Sequence, residues 1–464
     1  MNPREMRATS GLAAIYGVRM AGLFMVLPVL MLHLDTLPGA TPLLMGLALG
    51  IYGLTQALLQ IPFGLLSDRL GRKPLILAGL ALFVLGSLVA AMAESIHGVI
   101  LGRALQGTGA VAAVILALTA DLVDEERRTR ALAVIGLSIG LSFTASMALG
   151  PVVDRFAGLS GIFGLSAVLG MVAMAILVFW VPQPARVRPH PDMVPVWSAL
   201  PQVLRERDLL RLSAGIFFLH LILAANFLVI PPLLVERLGL PGADHWRLYV
   251  PVLLAGFVLM LPGILFGERR RRVHAVMRAA IALLALVQLL LAMLVLNGGG
   301  LWPLVALLVL FFVAFNLLEA GLPSLVARVA PVGHKGTAMG GFATAQFLGI
   351  FAGGLLGGWL LAWLGPAGVL LMGVPLLLLW LLLARGLQPR YLSNRVLRLP
   401  SHWSGREDEL QRSLLAWPGV AEVALSPDAR SLYLKVDPCG PDTDALAAWL
   451  AAPPGSAVTR GDSA

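Results

Sequence analysis

Residues 51–90, IYGLTQALLQIPFGLLSDRLGRKPLILAGLALFVLGSLVA, contain two long apolar runs separated by a short charged turn. Each run is long enough to cross a bilayer, because about 30 Å of hydrocarbon at about 1.5 Å rise per residue needs about 20 residues. The charged side chains between the runs, from Asp68 to Lys73, would stay in water. The stretch therefore predicts two membrane-spanning helices joined by a tight polar turn.

The same pattern recurs along the chain and predicts an all-α membrane protein with twelve transmembrane helices. Hydrophobic residues make up 58% of the 464 residues and charged residues only 13%, whereas soluble domains carry about a quarter charged residues. This balance excludes both a water-soluble globule and a disordered chain. The predicted spans are about 11–34, 45–66, 74–93, 97–121, 131–153, 159–182, 210–235, 247–267, 273–296, 301–329, 337–364 and 366–386.

A proline-rich, charged stretch at 183–209 divides the spans into two sets of six. The segment after Thr129 that opens the fifth span resembles the segment after Gly336 that opens the eleventh, at an offset of roughly 200 residues. We therefore predict two six-helix pseudo-repeats. The predicted segments are an N-terminal bundle at 1–182, a cytoplasmic linker at 183–209, a C-terminal bundle at 210–390 and a soluble domain at 391–464.

The basic residues indicate the orientation of the spans. The formal net charge is +9, and alternate loops hold most of the arginines and lysines, as the positive-inside rule requires for cytoplasmic loops. Both termini are then cytoplasmic, in the plasma (inner) membrane. No aromatic residues accompany the basic runs, which argues against nucleic acid as a partner. Only three arginines fall on the opposite side: Arg155, Arg237 and Arg247.

The sequence of the tail predicts a small α+β domain. Residues 395–399 alternate like a strand, 406–417 form an amphipathic helix, 420–425 and 431–436 form a hairpin, and 442–451 form a second helix. The order β-α-β-β-α suggests a ferredoxin-like domain. Cys439 is the single cysteine of the chain, so we predict neither a disulfide nor a metal site. We expect no cofactor.

The turn after the second span carries the most specific motif. Residues 64–73, GLLSDRLGRK, resemble the signature loop G-x-x-x-D-R-x-G-R-K of the major facilitator superfamily at every defined position. Gly71 would allow the tight turn, and Gly64 would allow close helix approach. The motif residues are Gly64, Asp68, Arg69, Gly71, Arg72 and Lys73.

The resemblance implies the major facilitator fold and a conformational latch. It implies that Asp68 caps the eleventh span of the other half, where Gly336 and Thr337 lie, and that Arg72 pairs with an acid at the end of the fourth span, for which Asp121 fits. Such a latch would favour the outward-facing state. A plain anchored turn is the competing interpretation.

Two further motifs agree with the family. Arg103-Ala-Leu-Gln106-Gly107-Thr-Gly109-Ala110 resembles R-x-x-Q-G-x-G-A, and Gly150-Pro151 resembles part of the antiporter motif that closes in G-P-x-x-G-G, without its last two glycines. The resemblance extends over nearly the whole chain to proton-driven members that carry a C-terminal ferredoxin-like domain.

Polar residues inside the spans are candidate functional residues, since ionisable groups at membrane depth are costly and mark ion or substrate paths. Glu319, near the middle of the tenth span, is a candidate proton carrier, and a structural carboxyl is the alternative. Arg19 is expected to face a cavity. The proton-coupling candidates are Glu319, Arg19, Arg103 and His220, and the substrate candidates are Gln56, Asn226, Asn316 and Gln346.

These features predict a proton-coupled antiporter that exports a small, apolar or weakly charged compound by alternating access. The chain contains no G-x-x-x-x-G-K-[ST] loop for ATP and no constellation typical of an enzyme. A proton symporter importing a small solute and a transport-inactive sensor with a regulatory tail are the alternatives. The expected partners are membrane lipid, protons and the substrate. The transport unit is expected to be a monomer, and the tail is a candidate for mediating self-association.

Overall fold

A computed structural model of the chain describes residues 2–183, 205–331, 335–387, 393–403, 406–425, 431–436 and 443–451. It forms two compact units. The larger takes in the described residues of Met1–Arg188, Arg211–Leu322 and Gly340–Gly386, and the smaller takes in those of Pro189–Leu210, Pro323–Met339 and Leu387–Ala464. In the larger unit we call the described residues up to 183 the N-half and those from 211 onward the C-half.

Within the described residues, eleven long helices precede the tail. Those of the N-half are α1 Pro3–Phe24, α2 Pro42–Leu70, α3 Arg72–Ala91, α4 Ile96–Thr108, α5 Ala112–Leu122 and α6 Glu125–Phe179. The next five are α7 Arg207–Glu236, α8 Trp246–Arg269, α9 Val273–Leu296, α10 Leu301–Val329 and α11 Lys335–Arg385. Short 3-10 helices occupy Leu30–His33 and Gly242–Asp244.

The helices account for twelve crossings. Among the described residues, nine helical segments are long and apolar enough to span a membrane. Two of these are double, because α6 bends at Gly158 (φ 61°) and α11 at Gly365 (φ 68°), conformations that glycine adopts without strain. Each bend falls between two predicted spans. The remaining crossing is α1, which carries four charged residues and is not among the nine.

Two predicted spans differ from the structure. The first, 11–34, is replaced by α1, which begins eight residues earlier because Asn2 and Glu5 form a capping box and Pro3 occupies the first turn. The fourth, 97–121, is broken between α4 and α5 at Gly109, whose φ/ψ of −71°/55° is not helical. The break leaves backbone carbonyl groups without helical partners.

The two halves meet closely at one end of the bundle. A Cβ built on Gly50 of α2 would lie 2.8 Å from the carbonyl oxygen of Phe351 of α11, and one built on Gly46 would collide with the carbonyl of Gly354. We call this the sealed end. At the opposite ends of the same helices, no described atom lies within 4 Å of a Cβ built on Gly64 or Gly340. The close approach expected at Gly64 is therefore absent from this state.

The smaller unit contains the tail elements in the predicted order. These are β1 Ser393–Arg398, α12 Glu407–Leu415, β2 Val420–Leu425, β3 Ser431–Val436 and α13 Thr443–Ala451. The strands form an antiparallel sheet in the order β1-β3-β2. Apolar side chains of both helices and of all three strands pack around Trp403. Cys439 lies outside the described residues.

Candidate functional site

Three polar side chains from three helices of the C-half meet in one cluster. Gln346 of α11 donates from Nε2 to Glu319 Oε1 of α10 at 3.3 Å, and the same nitrogen lies 2.8 Å from Nε2 of His220 on α7. Glu319 Oε2 lies 3.8 Å from that histidine nitrogen. The sequence analysis gave each of the three residues separately as a candidate functional residue, and the fold brings their side chains together.

The hydrogen bonds around His220 define its neutral tautomer. Its Nδ1 lies 3.3 Å from the carbonyl oxygen of Ile216, to which it donates. Its Nε2 is then the acceptor of the Gln346 amide. The imidazole is enclosed, whereas 37% of the Glu319 side chain is exposed. The Glu319 side chain is therefore less enclosed than a midplane position predicts, although its Oε2 atom is itself buried.

A second polar cluster lies in the N-half around Arg19. Its Nη2 donates to Gln56 Oε1 at 2.5 Å and to the carbonyl of Gly109 at 3.0 Å. That carbonyl is available because α4 ends there. Arg19 is 1% exposed and Gln56 is 0% exposed. In this state the arginine does not face an open cavity, contrary to the expectation, because α2 and the helix break enclose it.

Arg103 connects α4 to α2. Its Nε and Nη2 donate to the carbonyls of Ala48 and Leu49, each at 3.2 Å, and its Nη1 donates to Gln106 Oε1 at 3.2 Å. The ring of Tyr52 lies between the two arginines, 5.1 Å from the guanidinium carbon of Arg103 and 5.8 Å from that of Arg19. Cation–π attraction thus contributes to holding both charges in the apolar interior.

The other two substrate candidates have different surroundings. Asn226 accepts a hydrogen bond from Gln288 of α9 at 3.0 Å, and both amides are buried. Asn316 is half-buried on α10, three residues before Glu319. Tyr52 and Gln288 were not predicted from the sequence; a glutamine within an otherwise apolar span was the available signal for Gln288.

Aromatic rings run between the halves. Phe24 contacts Phe143 with ring centroids 5.0 Å apart, and Phe143 contacts Phe312 of the C-half at 6.2 Å. Phe312 contacts Phe315 at 6.3 Å, and Phe315 contacts the His220 ring at 5.8 Å. An apolar surface therefore leads from α1 to the polar cluster of the C-half.

The turn between α2 and α3 has the geometry that the sequence predicts. Gly71 has φ 91°, and helices end and begin on either side of it. Arg72 Nε donates to Asp121 Oδ2 at 3.2 Å, with both side chains almost fully buried, and Arg72 also bonds the Ser67 hydroxyl. The side chain of Asp68 lies outside the described residues, so its contact with the eleventh span stays a prediction.

The two remaining basic residues of the turn differ in their surroundings. Lys73 Nζ donates to the carbonyl of Val181 at 2.8 Å, while Arg69 is exposed. The described part of the chain contains no group of three or more His, Cys, Asp or Glu residues that could hold a metal ion.

Known proteins resemble this chain over most of its length. The sequence model of the Major Facilitator Superfamily matches residues 12–314. Inner membrane transport protein YajR of Escherichia coli K12 is 43% identical over 439 residues, which cover 94% of this chain and 95% of that protein. Multidrug resistance protein MdtH of Cronobacter sakazakii is 25% identical, covering 80% and 94%.

A solved structure shares the fold at low sequence identity. It is a bacterial homologue of the human lysosomal transporter Spinster, in an inward-facing and occupied conformation. It superposes with a TM-score of 0.66 at 13% identity, covering 83% of this chain and 97% of that one.

Proposed function

The chain belongs to the major facilitator superfamily, and on that premise we propose that it is a proton-coupled antiporter exporting a small, apolar or weakly charged compound by alternating access. The family membership makes it a multi-pass membrane transporter of a small-molecule substrate and not an enzyme. Proton coupling, export and the substrate class are the proposed steps beyond it.

The observation that carries the proposal is the hydrogen-bonded cluster of Glu319, Gln346 and His220. A carboxylate at membrane depth is retained only where it has a use or a partner. Here the partners are neutral groups that leave Glu319 Oε2 without a hydrogen bond. That oxygen is itself buried but free to hold a proton that enters through the exposed part of the side chain, and His220 Nε2 lies 3.8 Å away as a second acceptor.

The asymmetric contact between the halves supports alternating access. The halves touch backbone to backbone at the sealed end, while the opposite ends of α2 and α11 have no such contact at Gly64 and Gly340. A transporter that opens to one side at a time requires two arrangements of this kind. The exposure of Glu319 fits a proton site that equilibrates with the unsealed side.

The positive-inside rule supplies the sidedness. Arg155, Arg237 and Arg247 belong to the connections at the sealed end, and the basic turn at 69–73 lies at the other. We therefore place the sealed end at the periplasmic face of the inner membrane and the N- and C-termini in the cytoplasm. In this arrangement the described state is sealed on the periplasmic side.

The signature turn supports a latch between the two states. The buried pair of Arg72 and Asp121 fixes the end of α5 against the start of α3. In the outward-facing state we expect Asp68 to cap the eleventh span near Gly336 and Thr337. The incomplete antiporter motif after Gly150 favours export over import.

The test is a flux measurement with purified protein in liposomes that enclose a pH-sensitive dye. A panel of apolar and weakly charged compounds is applied under a proton gradient, and the substrate is the compound that drives proton flux. Glu319→Gln should abolish the flux, because an amide cannot carry the proton, while substrate binding persists. Glu94→Gln, which changes an exposed glutamate, is the matched control.

The same assay separates the alternatives. Flux of substrate and protons in the same direction would indicate the symporter. Substrate binding without any flux would indicate the sensor. Unchanged coupling in Glu319→Gln would contradict the assigned proton site.

A further inference from the structure

We propose that Arg19 binds a carboxylate group of the transported compound, so that the substrates are small organic monoanions with an apolar body. The inference rests on the proposed function and deepens it, because it assigns the charge of the "weakly charged" compound. It is carried by a comparison of the two buried arginines of the N-half.

The two guanidinium groups are equally buried but unequally satisfied. Arg19 and Arg103 are each 1% exposed. Arg103 uses all three of its nitrogens, on the carbonyls of Ala48 and Leu49 and on Gln106. Arg19 uses Nη2 alone, and its Nε and Nη1 have no hydrogen-bond partner. Three of the five N–H donors of Arg19 are therefore unused.

Neither arginine has a counter-ion in the described part of the chain, where no carboxylate lies within 4.0 Å of either. A buried charge without a partner is strongly unfavourable. Arg103 has carbonyl dipoles on every nitrogen, which is the arrangement of a structural arginine. Arg19 has them on Nη2 alone, so the missing interaction partner of its Nε and Nη1 is one that the chain does not supply.

A carboxylate fits the vacant donors. The hydroxyl of Tyr52 is a further buried donor without a partner, and its ring lies 5.8 Å from the guanidinium carbon of Arg19. A carboxylate offers two oxygens with about four acceptor sites and forms charge-assisted hydrogen bonds with arginine. It would neutralise Arg19, and the Tyr52 hydroxyl is a neighbouring candidate for a second donor.

The vacant donors lie beside the helix that carries the proton cluster. The Tyr52 ring is 6.5 Å from the ring of Phe347, and Phe347 follows Gln346, which bonds Glu319 and His220. The anion would thus bind on the N-half and the proton on the C-half, with α11 between them. Since Arg19 is enclosed in this state, the substrate reaches it only when the halves move.

The experiment measures binding of radiolabelled benzoate to the purified full-length protein in nanodiscs. Benzoate is a small apolar monoanion, and benzamide is its neutral isostere. We expect saturable benzoate binding that excess benzoate displaces and excess benzamide does not. Arg19→Gln should weaken it at least tenfold, and Arg19→Lys several-fold, because a lysine keeps the charge with fewer donors.

Arg103→Lys is the matched control, since it makes the same change in an equally buried arginine whose three nitrogens all donate to the chain. It should alter benzoate binding less than twofold. Size-exclusion profiles and thermal transitions of all variants report whether each is folded. A folded Arg19→Gln variant that binds benzoate like wild type would overturn the proposal.

Three other outcomes would also overturn it: equal displacement by benzamide, preference for inorganic phosphate, or no retention of benzoate by wild type at millimolar concentration. The proposed function is tested separately, by measuring proton flux. Benzoate binding that depends on Arg19 without any coupled proton flux would refute the antiporter and leave the anion site. Coupled flux of neutral compounds that is unaffected by Arg19→Gln would refute the anion site alone.

Discussion

Gly46 of α2 and Gly354 of α11 exclude side chains from each other's position. A Cβ built on either glycine would collide with the carbonyl oxygen of the other. The two helices therefore touch backbone to backbone, as small residues allow in membranes, where close packing replaces the hydrophobic drive. Because one glycine belongs to each half, this contact closes the sealed end.

The first prediction is that Gly46→Ala opens the sealed end. The added methyl group has no room against Gly354, and overpacking of this kind costs about 1–3 kcal/mol. Since this contact joins the halves, the cost falls on the sealed state and shifts the population away from it. The measurement is the distance between nitroxide labels at the exposed positions Thr36 and Asn297, one in each half, in a background with Cys439 replaced by serine.

We expect the distance distribution to gain a longer component in Gly46→Ala. The matched control is Gly136→Ala, since no described atom lies within 4 Å of a Cβ built on Gly136. A distribution identical in both variants and in wild type would show that the contact does not govern closure.

The second prediction concerns the buried ion pair of the signature turn. Asp121→Asn should lower the free energy of unfolding by about 3–5 kcal/mol, because it leaves the Arg72 charge buried with a weaker partner. The side chains of Arg72 and Asp121 are only 4% and 1% exposed, so solvent cannot replace the interaction. The measurement is denaturant unfolding in mixed micelles.

Asp35→Asn, at an exposed aspartate, is the control for this change and should have little effect. A loss below about 1 kcal/mol in Asp121→Asn, the range of surface ion pairs, would mean that the pair does not hold the turn.

The spans and the signature turn could be predicted from the sequence because their signals are local. A run of apolar residues sets the length of a membrane-spanning helix. A glycine such as Gly71 is favoured where two helices join without a loop. The pairing of Arg72 with Asp121 came from resemblance to the family. The number of crossings was correct because Gly158 and Gly365 divide two long helices at predicted boundaries.

The surroundings of the polar residues could not be predicted in the same way. His220, Glu319 and Gln346 lie on three helices, and nothing local indicates that one amide contacts both other side chains. Arg19 was expected to face a cavity, since its depth in the span was known but its neighbours were not. Its enclosure depends on the helix break at Gly109.

The third prediction tests whether residues 391–464 form a separate domain. Trp403 is 3% exposed, contacts Trp449 with ring centroids 5.3 Å apart and donates from Nε1 to the carbonyl of Leu450 at 3.0 Å. Trp403→Ala should cost about 3–5 kcal/mol, enough to unfold a core of this size. Limited proteolysis of the full chain should then remove the tail and leave a membrane fragment with an unchanged thermal transition.

Leu415→Ala changes a leucine of the same unit that is 47% exposed and should leave the tail resistant. Loss of the membrane transition in Trp403→Ala would contradict the proposed boundary, because the two parts would then unfold together.

The fourth prediction is an acid-dependent loss of stability at the first turn of α1. Glu5, ahead of the first predicted span, has its pKa lowered from 4.5 to about 2, first by the backbone N–H of Asn2 and also by the backbone N–H of Asp124 and by Arg127. A carboxylate with a lowered pKa stabilises the folded state above its unfolded pKa, and this contribution is lost as the pH falls towards the folded pKa.

Glu5→Gln should therefore lower the thermal midpoint at pH 7, and the difference from wild type should shrink from about pH 4.5 downward. Glu94→Gln, at an exposed glutamate, should show no such pH-dependent difference. A difference between Glu5→Gln and wild type that stays constant from pH 7 to pH 3 would show that ionisation of Glu5 does not stabilise the folded state, because the glutamine keeps the size of the side chain and loses only its ionisation.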